Sequence, residues 1–565
     1  MKRFIWFIIC LTSIHLASAQ TPKWVEKARK SVFSIITYDK NNNIKSTGNG
    51  FYIDTKGTAL SDYTLFENAE RAVIIDSDGK QRDVISIQGA NAIYDVVKFS
   101  TPVAKKQTSL TIASQPAKVG EVVYLLPYST QKSANIQAGR ITSLDSIGNN
   151  SFYYTIEMKT GAKMLSCPIM NSNGEVLGLI QKNSSDESDE SYALGVKYGA
   201  SLQITGLSFN DGSLKNIGIK KALPDSEEQA LVLLYMAGQE NNEANYLSIL
   251  NDFIEKFPNN YEGYLRRAGH YIYQKEESSP AQANDDLKKA LQCGANPEEV
   301  HYRAAKTIYS YVLSLNGATP SDNWTYEHAL ELVQKAIQMK PLPIYYHLEG
   351  DIHFALHKYA EAFASYEQVN KSEIADASTF YSAAKAKELT EGSDINEVIA
   401  LMDSAISKLS KPYLTNGAAY IYERAELKVK AGKFKDAVMD YNAFHEAIKG
   451  NVTALFYFQR EQAEMQCRMY AQALKDIEKA VEMAPDDVDY LVEKGAVLLR
   501  VNKLDDAIET FQKAIAKDNK YAAAYRLLGY CQALQEKNKE ACINLNKAKE
   551  LGDEVVDQLL EKYCK

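Results

Sequence analysis

Small residues recur every 34 positions near the end of this chain: Ala473, Ala507 and Ala541; Ala480, Ala514 and Ala548; Gly495 and Gly529. A fixed period of that length means one structural unit used repeatedly, because no single copy can bury its apolar side and each must stack on the next. The apolar spacing is helical, so the unit is a pair of antiparallel helices. The small residues then mark where the two helices approach too closely for a larger side chain. Earlier copies carry insertions: Gly350 with Ala362, Ala425 with Ala437, and Ala329 with Ala336 and Pro341. Helices end at Phe257-Pro-Asn-Asn260, Lys340-Pro341 and Ala484-Pro-Asp-Asp487, since proline cannot continue one.

This unit resembles the tetratricopeptide repeat. About nine copies are expected over 226–554, the least regular between 261 and 411, with 555–565 as a terminal capping helix. The resemblance implies a superhelix that binds a protein or an extended peptide on its concave face. With the small residue as the family's eighth position, the inward-facing fifth and ninth positions hold His347 and Asp351, Tyr422 and Glu426, Phe458 and Gln462, and Arg526 and Tyr530. Aromatic and mixed polar groups suit such a partner, although packing between repeats is an equal claim on each tyrosine. The basic and amide residues of a carboxylate clamp are absent there, which disfavours recognition of a free C-terminus. His347, His353 and His357 invite a metal, but no cysteine or glutamate-rich partner accompanies them and a solvated helix end is preferred; no cofactor is expected.

The first half follows a different period. Short apolar runs at Val32 to Tyr38, Gly50 to Ile53, Ala72 to Ile75, Val84 to Gln88, Val122 to Leu126, Tyr153 to Met158 and Val176 to Gln181 are separated by turns such as Ser77-Asp-Gly79 and Asn171-Ser-Asn-Gly174. That pattern reads as an all-β barrel or sandwich. A short amphipathic helix precedes it at Thr21 to Lys30, and a linker rich in glycine follows at 206–225. The chain is thus a multidomain protein with a β-domain over 22–205 and an all-α array beyond it.

Ser46-Thr-Gly-Asn-Gly-Phe-Tyr-Ile-Asp54, Lys56-Gly-Thr-Ala-Leu60, Asp78-Gly79, Tyr94-Asp-Val-Val-Lys98, Lys118-Val-Gly-Glu-Val122 and Cys167-Pro-Ile-Met-Asn-Ser-Asn-Gly-Glu-Val-Leu-Gly178 follow one another as in HtrA-type trypsin-like proteases. The resemblance covers 28–202 and implies the two-barrel, chymotrypsin-like fold. It puts the catalytic His position on Thr64, the Asp position on Asp95 and the nucleophile on Leu165. Two of the three are therefore lost. A serine hydroxyl attacks only when an imidazole takes its proton, and the acid merely orients that imidazole. No histidine lies between Gln20 and Gly269, whatever the alignment register. Lys163-Met-Leu-Ser-Cys-Pro168 stands where the family has the glycines of its oxyanion loop. A binding protein with a degenerate protease domain is the preferred reading. The enzymatic alternative is a displaced nucleophile, Ser166 or Cys167, activated by Lys163. A peptide groove beside Ser191-Tyr-Ala-Leu-Gly195 that binds without cutting is a third.

Residues 1–19 have the grammar of a signal peptide: Met1-Lys2-Arg3, an apolar run from Phe4 to Leu11 too short to span a bilayer, and Ala17-Ser18-Ala19. Export to the periplasm or outside the cell follows, without stable membrane insertion. The net charge of −8 and the lack of a basic run exclude phosphate backbones as partners. Beyond the leader, six scattered cysteines form no metal-binding spacing. Cys531 and Cys542 could face one another across a hairpin, though buried thiols are the preferred reading for all six. Asn183 to Ser191 is acidic enough to suggest calcium, but it lacks the spacing of a calcium loop and reads as a solvated hairpin.

Overall fold

In a computed structural model of the protein, the residues described are 22–564 apart from 132–134, 149, 182–188, 241, 275, 277, 295 and 414. The expected leader, and most of the acidic stretch 183–191, lie outside the described residues. The chain divides into two compact units, Met1–His270 and Tyr271–Lys565.

The first unit contains two antiparallel sheets. Strands β1 Val32–Tyr38, β2 Ile44–Tyr52, β3 Thr58–Ser61, β4 Arg71–Ile75, β5 Gln81–Asp83, β6 Ser86–Asn91 and β7 Val96–Ser100 form one, in the order β5-β4-β1-β2-β3-β7-β6. Strands β8 Val122–Leu125, β9 Gln137–Gly148, β10 Ser151–Glu157, β11 Pro168–Met170, β12 Val176–Gln181 and β13 Glu190–Gly195 close into a barrel, β10-β13-β12-β11-β8-β9. Period-two alternation puts Phe33 and Ile35 of β1 into the first core with Tyr52, Phe66 and Phe99, where each such side chain contributes about 1.5–3 kcal/mol by leaving water. Val32, Phe51, Leu60 and Val96 face the other way and meet Leu179 and Leu194 of the second sheet and Val196, just after it. The triad positions lie along this seam.

The expected helix at Thr21 to Lys30 is one short turn, Val25–Ala28, followed by a 3-10 turn. Trp24 closes it onto the barrel by donating from Nε1 to the Ser172 carbonyl at 3.1 Å.

The segment 206–225, read as a linker, is packed instead. Ile217, Ile219 and Leu214 are buried in the first core. The Ile87 amide donates to the Lys220 carbonyl at 2.8 Å and the Ala222 amide to the Ile87 carbonyl at 2.7 Å, making a parallel bridge on the edge of β6. Its glycines and proline signalled a turn-rich path, but the isoleucines on either side of Gly218 give that path an apolar face. The helix Glu227–Ala237 continues from it, with Leu233 in the same core.

The second unit is helical. From Pro297 to Glu550, seven consecutive helix pairs are stacked, the first joined through 315–325 and the others by three to five residues, and a further helix, Asp557–Tyr563, follows. Small residues sit where each pair crosses. A Cβ on Gly350 would lie 2.6 Å from Tyr366 Cε1, and one on Gly529 2.8 Å from Leu545 Cγ. Cys542 is bonded to Cys564, not set opposite Cys531, whose thiol is buried and pushed up to about 12 by desolvation. Cys293 and Cys467 are only half-buried, so the thiols are not all core residues.

One crossing breaks the rule. Glu461, 34 residues before Gly495, is fully buried. Gln462 Nε2 donates to its Oε2 at 3.0 Å while Oε1 has no partner. Burial first, then the charges of Glu493, Glu464 and Asp476, push its carboxyl up to about 9. A folded pKa above the unfolded value near 4.5 leaves full stability at acid pH and removes it as pH rises from about 4.5 toward 9. Glu461→Gln should therefore stabilise the full chain's repeat transition against urea at pH 8, by about 2 kcal/mol. The advantage should vanish near pH 4; an equal gain at both pH values would show that ionisation is not the cause.

Candidate functional site

Strand β3 runs into Asp62 and a short helix, Tyr63–Phe66, which carries Thr64 on its exposed side. The turn between β6 and β7 carries Asp95, with φ of 45°. Asp95 Oδ1 accepts from the Thr64 amide at 2.7 Å and from Thr64 Oγ1 at 2.8 Å. The structure thus joins the positions read as acid and base, but the second partner is a hydroxyl. A threonine hydroxyl cannot take a proton from a nucleophile at neutral pH, and Asp95 here caps the turn of a helix.

The third position, Leu165, follows a 3-10 turn at Ala162–Met164. Asn49 pins this loop, its Nδ2 donating to the carbonyls of Lys163 and Leu165, both at 2.9 Å. Ser166 follows with φ of 62°, the left-handed region where a glycine costs least. Its amide donates to the Ile180 carbonyl at 2.9 Å. The side chain points inward, 0% exposed, with its hydroxyl acting on the buried Asp62 carboxyl. Cys167 beside it is buried in the second barrel's core, and desolvation pushes the thiol up to about 12, so no thiolate forms at neutral pH. Lys163, the proposed activator, is exposed.

Asp62 was not singled out from the sequence. Its carboxyl is buried and pushed well above the usual carboxylate range, first by desolvation and then by the charge of Asp95, with the Ser166 hydroxyl opposing. No histidine lies between Gln20 and Gly269 for it to orient. Nothing in the sequence separated it from an ordinary turn residue at the end of a strand.

On the repeats, all eight positions read as inward-facing are half-buried, and most bond within the chain. His347 Nδ1 and Asp351 Oδ2 are 3.1 Å apart, and Tyr366 donates to Asp351 Oδ1 at 2.8 Å; the hydrogen bond to Asp351 makes His347 more basic than usual. Tyr422 donates to Gln459 Oε1, Gln459 Nε2 to Glu426 Oε2 at 3.4 Å, and Tyr441 to Glu426 Oε1. Arg526 Nε pairs with Asp553 Oδ2 at 2.8 Å. Phe458 packs against Tyr490, with ring centroids 5.1 Å apart, and Tyr530 against Tyr563 at 6.2 Å. The face is therefore a wall of preorganised aromatic and polar groups. Gln459, which ties Tyr422 to Glu426, was missed because it falls outside the fifth and ninth positions. His353 is buried, His357 exposed, and Nδ1 of His357 lies 2.8 Å from the Tyr359 hydroxyl.

Residues 48–179 match the family model of a trypsin-like peptidase domain, and residues 462–522 and 495–553 match that of a tetratricopeptide repeat. Among curated proteins, sperm-associated antigen 1 of Mus musculus is 33% identical over 85 residues, 15% of this chain and 9% of that protein. A TPR repeat-containing protein of Methanocaldococcus jannaschii is 24% identical over 287 residues, 49% of this chain and 48% of that one. The chain thus spans less than half the length of either relative. Similar solved structures include a serine endoprotease from Yersinia pestis, 16% identical over 31% of this chain and 62% of that one with a TM-score of 0.27. A protease from M. tuberculosis in its active form is 19% identical over 35% of this chain and 86% of that one, with a TM-score of 0.28. The chain carries a trypsin-like peptidase domain followed by tetratricopeptide repeats.

Proposed function

We propose that this is an exported scaffold whose trypsin-like domain does not cleave peptides and whose repeat array holds a protein or extended-peptide partner on its concave face. The observation that carries the reading is the triad position itself. Thr64 replaces the base and satisfies Asp95, Leu165 replaces the nucleophile, and no histidine occurs from Gln20 to Gly269. Burial of Ser166 and of the Cys167 thiol argues against a displaced nucleophile, because each would have to leave the core to meet a substrate. Export rests on the leader, and tetratricopeptide arrays generally serve protein–protein contact.

The purified chain should leave unfolded casein intact and take no label from a fluorophosphonate or a thiol-directed probe while native. Native labelling that disappears in Ser166→Gly, a change that suits the local backbone, would sink the reading. For the array, Phe458→Ala with Tyr530→Ala removes ring surface while leaving the Tyr422–Gln459–Glu426 bonds in place. The pair should weaken capture of a partner from envelope extract at least tenfold, with the melting temperature held within a few degrees; undiminished capture would move the contact off this face.

A further inference from the structure

Within the first unit, the packed segment 206–225 and the helices Glu227–Ala237 and Glu243–Lys256 enclose a cavity of about 610 Å³. That volume lies within the usual range of small-molecule sites, roughly 300–1,000 Å³. Its inner wall is apolar: Ile204, Leu214, Ile219, Leu223, Leu233 and Ile249, most of them members of the first core. Side chains of this kind gain nothing from facing an open space, so an apolar chain seated there would be stabilised by the apolar surface it covers.

The polar side of the cavity is unevenly charged. Lys220 is matched by Asp252, Nζ to Oδ1 at 2.6 Å, and Lys215 Nζ donates to Asn210 Oδ1 at 3.1 Å. Glu240 stands exposed at the edge. Lys221 differs from these. Its ammonium donates to the Ile217 carbonyl and has no carboxylate at ion-pair distance among the described residues. Glu70, which acts on it electrostatically, packs against Gly218. Desolvation lowers the Lys221 pKa, so the cavity lining holds a partly dehydrated cation. Its backbone is fixed by the bridge to Ile87, which keeps the amine in place. Ser208, Asn245 and Ser248 add neutral polar groups.

We propose that this cavity binds a single-chain amphiphile with a carboxylate head, the apolar tail lying against the Leu214–Leu233–Ile249 wall and the carboxylate paired with Lys221. An anion supplies the charge that Lys221 lacks, and a charge-assisted hydrogen bond in a desolvated setting is stronger than one in water. A neutral chain would fill the wall and leave the amine unpaired; a cationic one would meet like charge. The site is separate from both the triad position and the repeat face, so it stands whether or not the scaffold reading does.

Titration calorimetry of the full chain with decanoate, below its micellar concentration, should give saturable binding at one site per chain. Decanol and decyltrimethylammonium should bind at least tenfold more weakly. Lys221→Met keeps the aliphatic stem and should weaken decanoate tenfold or more while bringing decanol and decanoate together. Ile249→Trp, on the helical wall, should block both ligands and serves as a second variant should Lys221→Met not fold. Absence of decanoate binding, equal affinity for decanol, or decanoate affinity unchanged in either folded variant would overturn the proposal.

Discussion

The close crossing of paired helices constrains everything in the second unit. Where the axes meet there is room for hydrogen or a methyl group, and the opposing side chains, Tyr366 against Gly350 and Leu545 against Gly529, fill the rest. That contact fixes the tilt of each hairpin and hence the stacking of the next. The polar network rides on it: Tyr366 reaches Asp351 and Tyr441 reaches Glu426, the same fifteen-residue step from first helix to second in both cases. Glu461 exposes the rule by breaking it. Its carboxyl survives at the crossing because it is uncharged there, with Glu464 likewise raised, to about 8, by burial and by Asp476.

Local pattern revealed the fold to the extent that apolar residues carried it. Strands β1 and β12 match the sequence reading residue for residue, since both are apolar runs buried on most of their length. β9, at twelve residues the longest strand, went unread because Gln137–Gly148 is mostly polar and outward-facing; pairing with β8 and β10 defines it, and that is a non-local fact. The expected strand at Val84 to Gln88 starts instead at Ser86, after a break that separates it from β5. The packed segment after Thr205 was obscured for the opposite reason, its glycines outweighing two isoleucines that proved to be core.

The candidate sites were legible in unequal measure. Order of motifs placed Thr64 and Asp95 together, 31 residues apart, and the structure joins them. What order could not convey is direction: that Ser166 points inward, or that Asn49 reaches across 116 residues to hold the loop. On the repeats, partners such as Tyr422 and Gln459 are 37 residues apart and belong to different repeats, which position within one repeat does not convey. Spacing between cysteines likewise carried no information on distance, and Cys542 found Cys564 in place of Cys531.

The bond between Cys542 and Cys564 stitches the helix Asn538–Glu550 to the helix Asp557–Tyr563, across 22 residues. Stacked repeats peel from their ends, because the outermost hairpin has one neighbour where the others have two. A covalent stitch between these helices resists their peeling apart. Tension applied to the chain beyond Cys564 would load the bond before the hairpins that precede it. The array is thereby given a polarity of mechanical resistance that its repeats do not possess by themselves.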